Sequence, residues 1–118
     1  MLLRILRIAL AAFLASSASA AALTITDREA SAHMGQTVTV VGVVTGTHVT
    51  LKGTEFLDFG PRYPGEDLTA VIFASSASQF GDVNQYYGKK LAVTGTIESY
   101  KGRTEIILRS PNQLSVLH

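Results

Sequence analysis

Two runs constrain this chain more than any other feature. Thr37-Val38-Thr39-Val40-Val41-Gly42-Val43-Val44-Thr45 and Lys90-Leu91-Ala92-Val93-Thr94-Gly95-Thr96-Ile97-Glu98-Ser99 are β-branched and nearly alternating, and each carries one internal glycine. Alternation of this kind marks a strand with one buried face. A glycine in the middle of such a strand points to a bulge or a tight bend. Gly42 is therefore expected to mark a bulge or a tight bend that curls the first strand across two halves of a sheet. A flat sheet has no use for such a kink; a small barrel does.

The remaining segments fit around these two. Further strands are expected over residues 54–59, 68–74 and 104–109, with a short lead-in strand at Leu23-Thr24-Ile25. Thr26 or Asp27 can cap a short helix that runs to Met34, with Glu29 in the first turn, where a negative charge suits the helix dipole. Gly35 stops it. Residues 46–53 read as a turn region. Gly60-Pro61-Arg62-Tyr63-Pro64-Gly65 is a loop, because its two prolines cannot donate to a ladder. Residues 75–87 have helical spacing interrupted by Gly81, and Gly88 ends them. Tyr100-Lys101-Gly102-Arg103 is a turn, and Ser110-Pro111-Asn112 stops the last strand. With no linker or repeat, residues 21–118 are expected to form one domain. The order β-β-β-α-β-β is that of a five-stranded OB-fold Greek-key barrel with a helix between strands 3 and 4, here preceded by a short N-terminal helix. An SH3-like barrel or an open sandwich are the competing small β folds.

Residues 1–20 read as an address. Arg4 and Arg7 precede an uncharged stretch from Ile8 to Ala15, followed by Ser16-Ser17-Ala18-Ser19-Ala20. A basic start, a short apolar run and an Ala-x-Ala ending are the parts of a secretory signal peptide, expected to be cleaved after Ala20. A buried amphipathic helix and an uncleaved anchor are the alternatives; against the anchor, serines interrupt the run short of the length that spans a bilayer. The sequence holds no cysteine, which excludes disulfides, thiolate metal sites and cysteine nucleophiles and is compatible with a periplasmic or secreted domain. Cleavage would remove Arg4 and Arg7 and take the formal charge from +1 to −1. A chain so balanced is not suited to tight, nonspecific phosphate binding.

Several stretches resemble a known family. Gly35-Gln36-Thr37-Val38-Thr39-Val40-Val41-Gly42 is similar to the G-K-x-V-x-V-x-G opening of small bacterial OB-fold domains. Phe56-Leu57-Asp58-Phe59-Gly60, followed by Tyr63-Pro64, resembles their F-L-N-F-G strand with its later Y-P. Leu68-Thr69-Ala70-Val71-Ile72-Phe73 looks like their third strand. Gly88-Lys89-Lys90-Leu91-Ala92-Val93-Thr94-Gly95 repeats the opening, and Tyr100-Lys101-Gly102-Arg103-Thr104-Glu105-Ile106 with Ser110-Pro111-Asn112-Gln113-Leu114 is similar to their end. The family is the nucleic-acid-binding OB-fold of helicase, exonuclease and tRNA-binding proteins, in its exported versions, and the likeness covers residues 29–117. Asp58 stands where that pattern has Asn. A carboxylate there would repel phosphate.

Ligands of an OB-fold lie on the face of strands 2 and 3, bordered by the loops between strands 1–2 and 4–5. Single strands need aromatic faces for bases and cations for phosphates. Lys52, Phe56, Arg62, Tyr63, Tyr100, Lys101 and Arg103 are the candidate nucleic-acid-binding residues on this reading, with His48 beside Lys52. Alternation places Phe56 and Asp58 on one face and Leu57 and Phe59 on the other, and the more apolar pair is expected to face the core. Phe59 and Phe73 are both expected in the core. Residues 89–109 hold five basic side chains against two acidic ones, whereas residues 54–67 hold one basic against four acidic, so a basic edge faces an acidic edge.

Chemistry beyond binding has little support in the residues. His33, His48 and His118 are isolated, and Asp58, Glu66 and Asp67 lack the spacing of a cation loop. No metal, no cofactor and no catalytic residue is expected. The leading expectation is a non-catalytic exported module that binds single-stranded nucleic acid, or a similar anionic polymer, weakly. The alternative is a periplasmic protein-interaction or envelope-stress module on the same barrel, with a protein partner. A small-ligand or oligosaccharide binder is a third possibility, supported only by the aromatic residues.

Overall fold

A computed structural model describes residues 21–118. The expected signal peptide over residues 1–20 lies outside the described residues. Seven strands are present: β1 (Leu23–Thr26), β2 (Thr37–Val49), β3 (Glu55–Phe59), β4 (Leu68–Ile72), β5 (Lys90–Tyr100), β6 (Arg103–Ile107) and β7 (Leu114–Leu117). Their order is β1-β2-β3-β4-β6-β5-β7, and β2 also pairs with β5. The strands β2, β3, β4, β6 and β5 thus close a five-membered ring, consistent with the OB-like barrel expected. The total is seven rather than five because β1 lies parallel to β2 and β7 antiparallel to β5, outside the ring.

Two long strands make the closure. Residues 37–43 of β2 pair with residues 90–96 of β5, whereas residues 44–49 of β2 pair with β3. Likewise residues 97–100 of β5 leave β2 and pair with β6. Each strand therefore serves two sheet halves, which requires a corner. In β2 the register shifts between Val44 and Gly46, so the bulge lies there and not at Gly42.

The two internal glycines have a different role. Val38, Val40 and Val44 are fully buried, as are Leu91, Val93 and Ile97, so alternation points Gly42 and Gly95 inward. A Cβ on Gly42 would lie 2.8 Å from Asp27 Oδ1 and 3.1 Å from Phe59 Cδ2, and one on Gly95 would lie 3.0 Å from Ile106 Cγ1. These glycines admit close packing across the ring. Leu57, Phe59, Leu68, Ile72, Ile106 and Leu108 complete the core. Phe73, expected there, is 45% exposed. β4 ends at Ile72, and Phe73 becomes the extended residue before a helical turn, α1 (Ala74–Ala77).

Residues 75–87 do not form one interrupted helix. After α1 the chain passes Gly81 at positive φ and makes a 3-10 turn at Val83–Tyr86, whose start Asp82 caps by accepting from the backbone of Asn84. Phe80 and Val83 plug the ring from this segment. The turn expected over residues 46–53 is shorter, because β2 continues to Val49. The last ring strand is Arg103–Ile107 rather than 104–109. The short N-terminal helix is present as a 3-10 helix at Asp27–His33. Glu29 Oε1 accepts from the Thr26 amide at 2.9 Å and its hydroxyl at 3.0 Å, which lowers the Glu29 pKa. Gly35 ends that helix at φ 78°.

Candidate functional site

A cleft of about 710 Å³ opens on the outer face of the ring half built by the second part of β2 with β3 and β6. Strand pairing sets its floor. Residues directly opposite on neighbouring strands share a face, and two such rows cross the sheet here. His48, Phe56, Val71 and Ile107 form one row, on β2, β3, β4 and β6. Gly46, Asp58, Thr69, Glu105 and Glu98 form the next, ending on β5. An aromatic and apolar row therefore runs beside a row of acceptors. His48 and Phe56 have near-parallel rings, 14° apart in plane, with centroids 6.2 Å apart.

The acceptor row is partly desolvated. Asp58 is only 7% exposed, and its Oδ1 accepts from the Thr69 hydroxyl at 2.9 Å. Burial pushes its pKa above the ordinary carboxylate range; the Thr69 hydrogen bond opposes this, and Glu66 adds to it. Glu105 is raised as well, chiefly by burial, with Arg103 opposing. Gly46 leaves Asp58 Oδ2 uncovered: a Cβ there would sit in contact with that oxygen, 3.4 Å away.

The β3–β4 loop and the start of β6 form the opposite wall. Gly60 starts the loop at φ 85°, and Asp67 closes it by donating its amide to Phe59 O at 2.9 Å. Within it, Gly65 N donates to Arg62 O at 2.8 Å, which folds the loop back. Tyr63 stands 64% exposed, with the Arg103 guanidinium 4.9 Å from its ring centroid. Arg103 also donates to Glu66, whose side chain is 5% exposed. That bond to Glu66 raises the arginine's pKa. The second Glu66 oxygen, Oε2, is buried with no partner among the described residues. Behind this wall Asp27 is held against Asp67. Burial raises the Asp27 pKa, and the shared hydrogen bond with Asp67 raises it further.

Four of the seven candidate residues meet at this cleft: Phe56, Arg62, Tyr63 and Arg103. Lys52 lies in a shallower neighbouring depression that shares His48 and Thr50 with it. Tyr100 and Lys101 are outside the lining of both. They sit at the exposed β5–β6 turn, where Lys101 Nζ is 5.4 Å from the Tyr100 ring centroid. The expected basic loop is therefore divided, and only Arg103 reaches the cleft. Leu57 and Phe59 do face the core, and Phe56 and Asp58 the cleft, although Asp58 is far more enclosed than an outward strand position implies. Thr69, Glu105 and the Glu66–Arg103 pair did not stand out as candidates. The adjacent basic and acidic stretches were the signal for that pair.

No family model and no curated protein matches the chain. Solved structures show a likeness of fold. A putative aspartyl-tRNA synthetase from Leishmania major Friedlin aligns at a TM-score of 0.58 and 14% identity, over 86% of this chain and 22% of that one. The S. pombe Stn1-ten1 complex aligns at 0.51 and 17%, over 70% and 58%. The aspartyl tRNA synthetase from Entamoeba histolytica aligns at 0.50 and 16%, over 72% and 19%. The chain thus spans less than two thirds of each of these proteins, and at such identities what is shared is the course of the backbone.

Proposed function

We propose that the chain is a non-catalytic OB-fold module that binds single-stranded nucleic acid, weakly and through its bases more than its phosphates. The observation that carries this reading is the aromatic row of His48 and Phe56 beside Tyr63, with the Arg103 guanidinium over the Tyr63 ring. Base stacking on aromatic side chains is worth about 1–3 kcal/mol per base and tolerates any sequence. Arg62 and Arg103 supply the positive rim, and Glu66 already offsets part of it. Two fold neighbours are named for their tRNA substrate, which adds support. The leader expected over residues 1–20 supports an exported module; N-terminal sequencing of the protein recovered from a periplasmic or culture fraction tests that part.

Fluorescence anisotropy with labelled single-stranded oligonucleotides tests the binding. Saturable binding is expected at low salt, with a shallow salt dependence of about −0.7 in log–log slope per phosphate neutralised. Phe56→Ala and Tyr63→Ala should each weaken it about tenfold, the loss of one stacked base. A complete lack of binding at low salt refutes the proposal. A protein partner is the second reading. It is supported by the acidic row, which suits a basic peptide, and by a fold neighbour that is itself a protein complex.

A further inference from the structure

We infer that the Glu66 carboxylate holds the place of a ligand phosphate on Arg103, so that binding of a single strand exchanges one for the other. The inference rests on the nucleic-acid reading above and names the cation of that site and what guards it.

Two features of the pair carry it. The first is its asymmetry. The Glu66 side chain is 5% exposed and that of Arg103 is 41% exposed. Glu66 is fixed by its loop: just before it Gly65 N donates to Arg62 O, and just after it Asp67 N donates to Phe59 O. Arg103 opens β6 opposite Tyr100 and reaches over the Tyr63 ring with much of its side chain in solvent. The arginine is therefore the partner that can leave. The second feature is that the pair is half made. Arg103 Nη2 donates to Glu66 Oε1, whereas Oε2 is buried with no hydrogen-bond partner among the described residues. A full arginine–carboxylate brace engages both oxygens in a fork.

A phosphodiester fits that guanidinium better than Glu66 does. Its two free oxygens match the arginine fork. The charges around the cleft point the same way. Asp58 and Glu105 line it and repel a phosphate from its floor, whereas Arg62 and Arg103 stand on the loop side. The backbone of a bound strand therefore follows the loop. Taking a phosphate draws the guanidinium from its place 4.9 Å from the Tyr63 ring centroid. Tyr63 is 64% exposed, and the face so cleared can stack a base. Glu66 is then left enclosed without its cation, which is unfavourable. That penalty opposes each binding event and makes the contact a brake on affinity.

The test measures anisotropy of labelled oligothymidylate with the full chain, as wild type and as Glu66→Gln, Arg103→Ala and the double variant. Glu66→Gln should bind about fivefold tighter than wild type, the upper end of what a half-exposed ion pair is worth. In the Arg103→Ala background the same change should alter affinity less than about twofold, because no guanidinium remains to be released. Thermal melts establish which variants are folded. Glu66→Asp keeps the charge and shortens the reach to Arg103, so it should also bind tighter than wild type, and it carries the test if Glu66→Gln does not fold. Saturable binding that is unchanged or weakened in the folded Glu66 variants overturns the inference and leaves the binding reading standing. An equal gain from Glu66→Gln with and without Arg103 overturns it too, since removal of a nearby negative charge then explains the gain. No binding by any of these proteins at low salt overturns both.

Discussion

The two halves of the ring share one core and differ on their outer faces. Where β2 pairs with β5, the outer face carries threonines joined across the strands. Thr37 and Thr96 hydroxyls are 2.9 Å apart, and Thr39 and Thr94 hydroxyls 2.7 Å. The Gln113 amide nitrogen extends the pattern by donating to Thr94 O at 2.9 Å and Ile107 O at 3.2 Å. That face is uncharged at these positions and uses its own hydrogen-bonding capacity. Where β2 pairs with β3 and the sheet continues to β6, the outer face carries Asp58 and Glu105 beside aromatic rings, and Asp58 Oδ2 opens to the cleft without a hydrogen bond from the described residues. Polar groups that satisfy each other hold a sheet together. Polar groups that open to a cleft with capacity to spare are free to accept from a ligand.

The largest expected effect removes the contrast altogether. Phe59 is fully buried, and its ring lies beside Gly42, where β2 passes from one half to the other. Phe59→Ala should cost about 3–5 kcal/mol. In urea titrations the midpoint should fall steeply, with a single transition for both halves. Two separated transitions would show that the halves fold independently and that the seam is not shared.

Arg103→Ala comes next. It leaves the Glu66 carboxylate enclosed without its cation and uncovers the Tyr63 ring. The Arg103 side chain is 41% exposed, so solvent already screens part of the pair, and the loss of stability should be about 1 kcal/mol. Oligonucleotide affinity should fall further than that stability change alone predicts, because a rim cation goes too. Unchanged binding with lowered stability would make Arg103 a brace for the loop and nothing more.

The threonine pair is the counterpart on the quiet half. Thr39→Val alone leaves the Thr94 hydroxyl without its partner and should cost about 0.5–1.5 kcal/mol; removing both hydroxyls, with Thr94→Val, should be nearly neutral by comparison. Neither variant should change oligonucleotide affinity. A binding defect in the double variant would place ligand on the wrong half.

Acidity separates the halves in another way. Raised carboxyls lie on or behind the cleft, among them Asp27, Asp58 and Glu105. A carboxyl with a raised folded pKa binds its proton more tightly in the folded state. Its contribution to stability is whole below the ordinary aspartate range and is lost as pH rises through the raised value. Asp27→Asn removes that titration and keeps a donor for Asp67. The variant should therefore gain on the wild type, in melting temperature, as pH is raised from acid to neutral. A difference that stays flat with pH would mean that Asp27 and Asp67 are not coupled through one proton.

The same contrast explains what could be read from the residues alone. Period-two alternation is local, so the ring strands, the inward Leu57 and Phe59 and the cleft-facing Phe56 were legible. The role of Gly42 was not, because a close approach to Asp27 and Phe59 depends on segments distant in sequence. β7 was missed for a similar reason: Leu114–Leu117 is a strand only through its pairing with residues 90–93 of β5. The acceptor row needs β4 to lie parallel beside β6, which no local pattern announces. Asp58 could therefore be read as a repeller of phosphate, but not as the neighbour of Thr69 and Glu105.

Lys101 gives the smallest expected effect and the sharpest boundary. Composition groups it with Arg103 as one basic loop, yet the two side chains part. Arg103 points to Tyr63 and Glu66 at the cleft, whereas Lys101, at φ 49°, holds its ammonium near the ring of Tyr100 at the turn. An exposed cation outside the cleft acts on a nucleic acid only through its long-range field, which salt screens over about 10 Å at 0.1 M. Lys101→Ala should therefore change affinity less than about twofold at moderate salt, and lower the log–log salt slope by less than the ~0.7 of a full phosphate contact. A loss as large as that from Arg103→Ala would extend the binding surface past the cleft to the end of β5, and the ligand would then have to cross both.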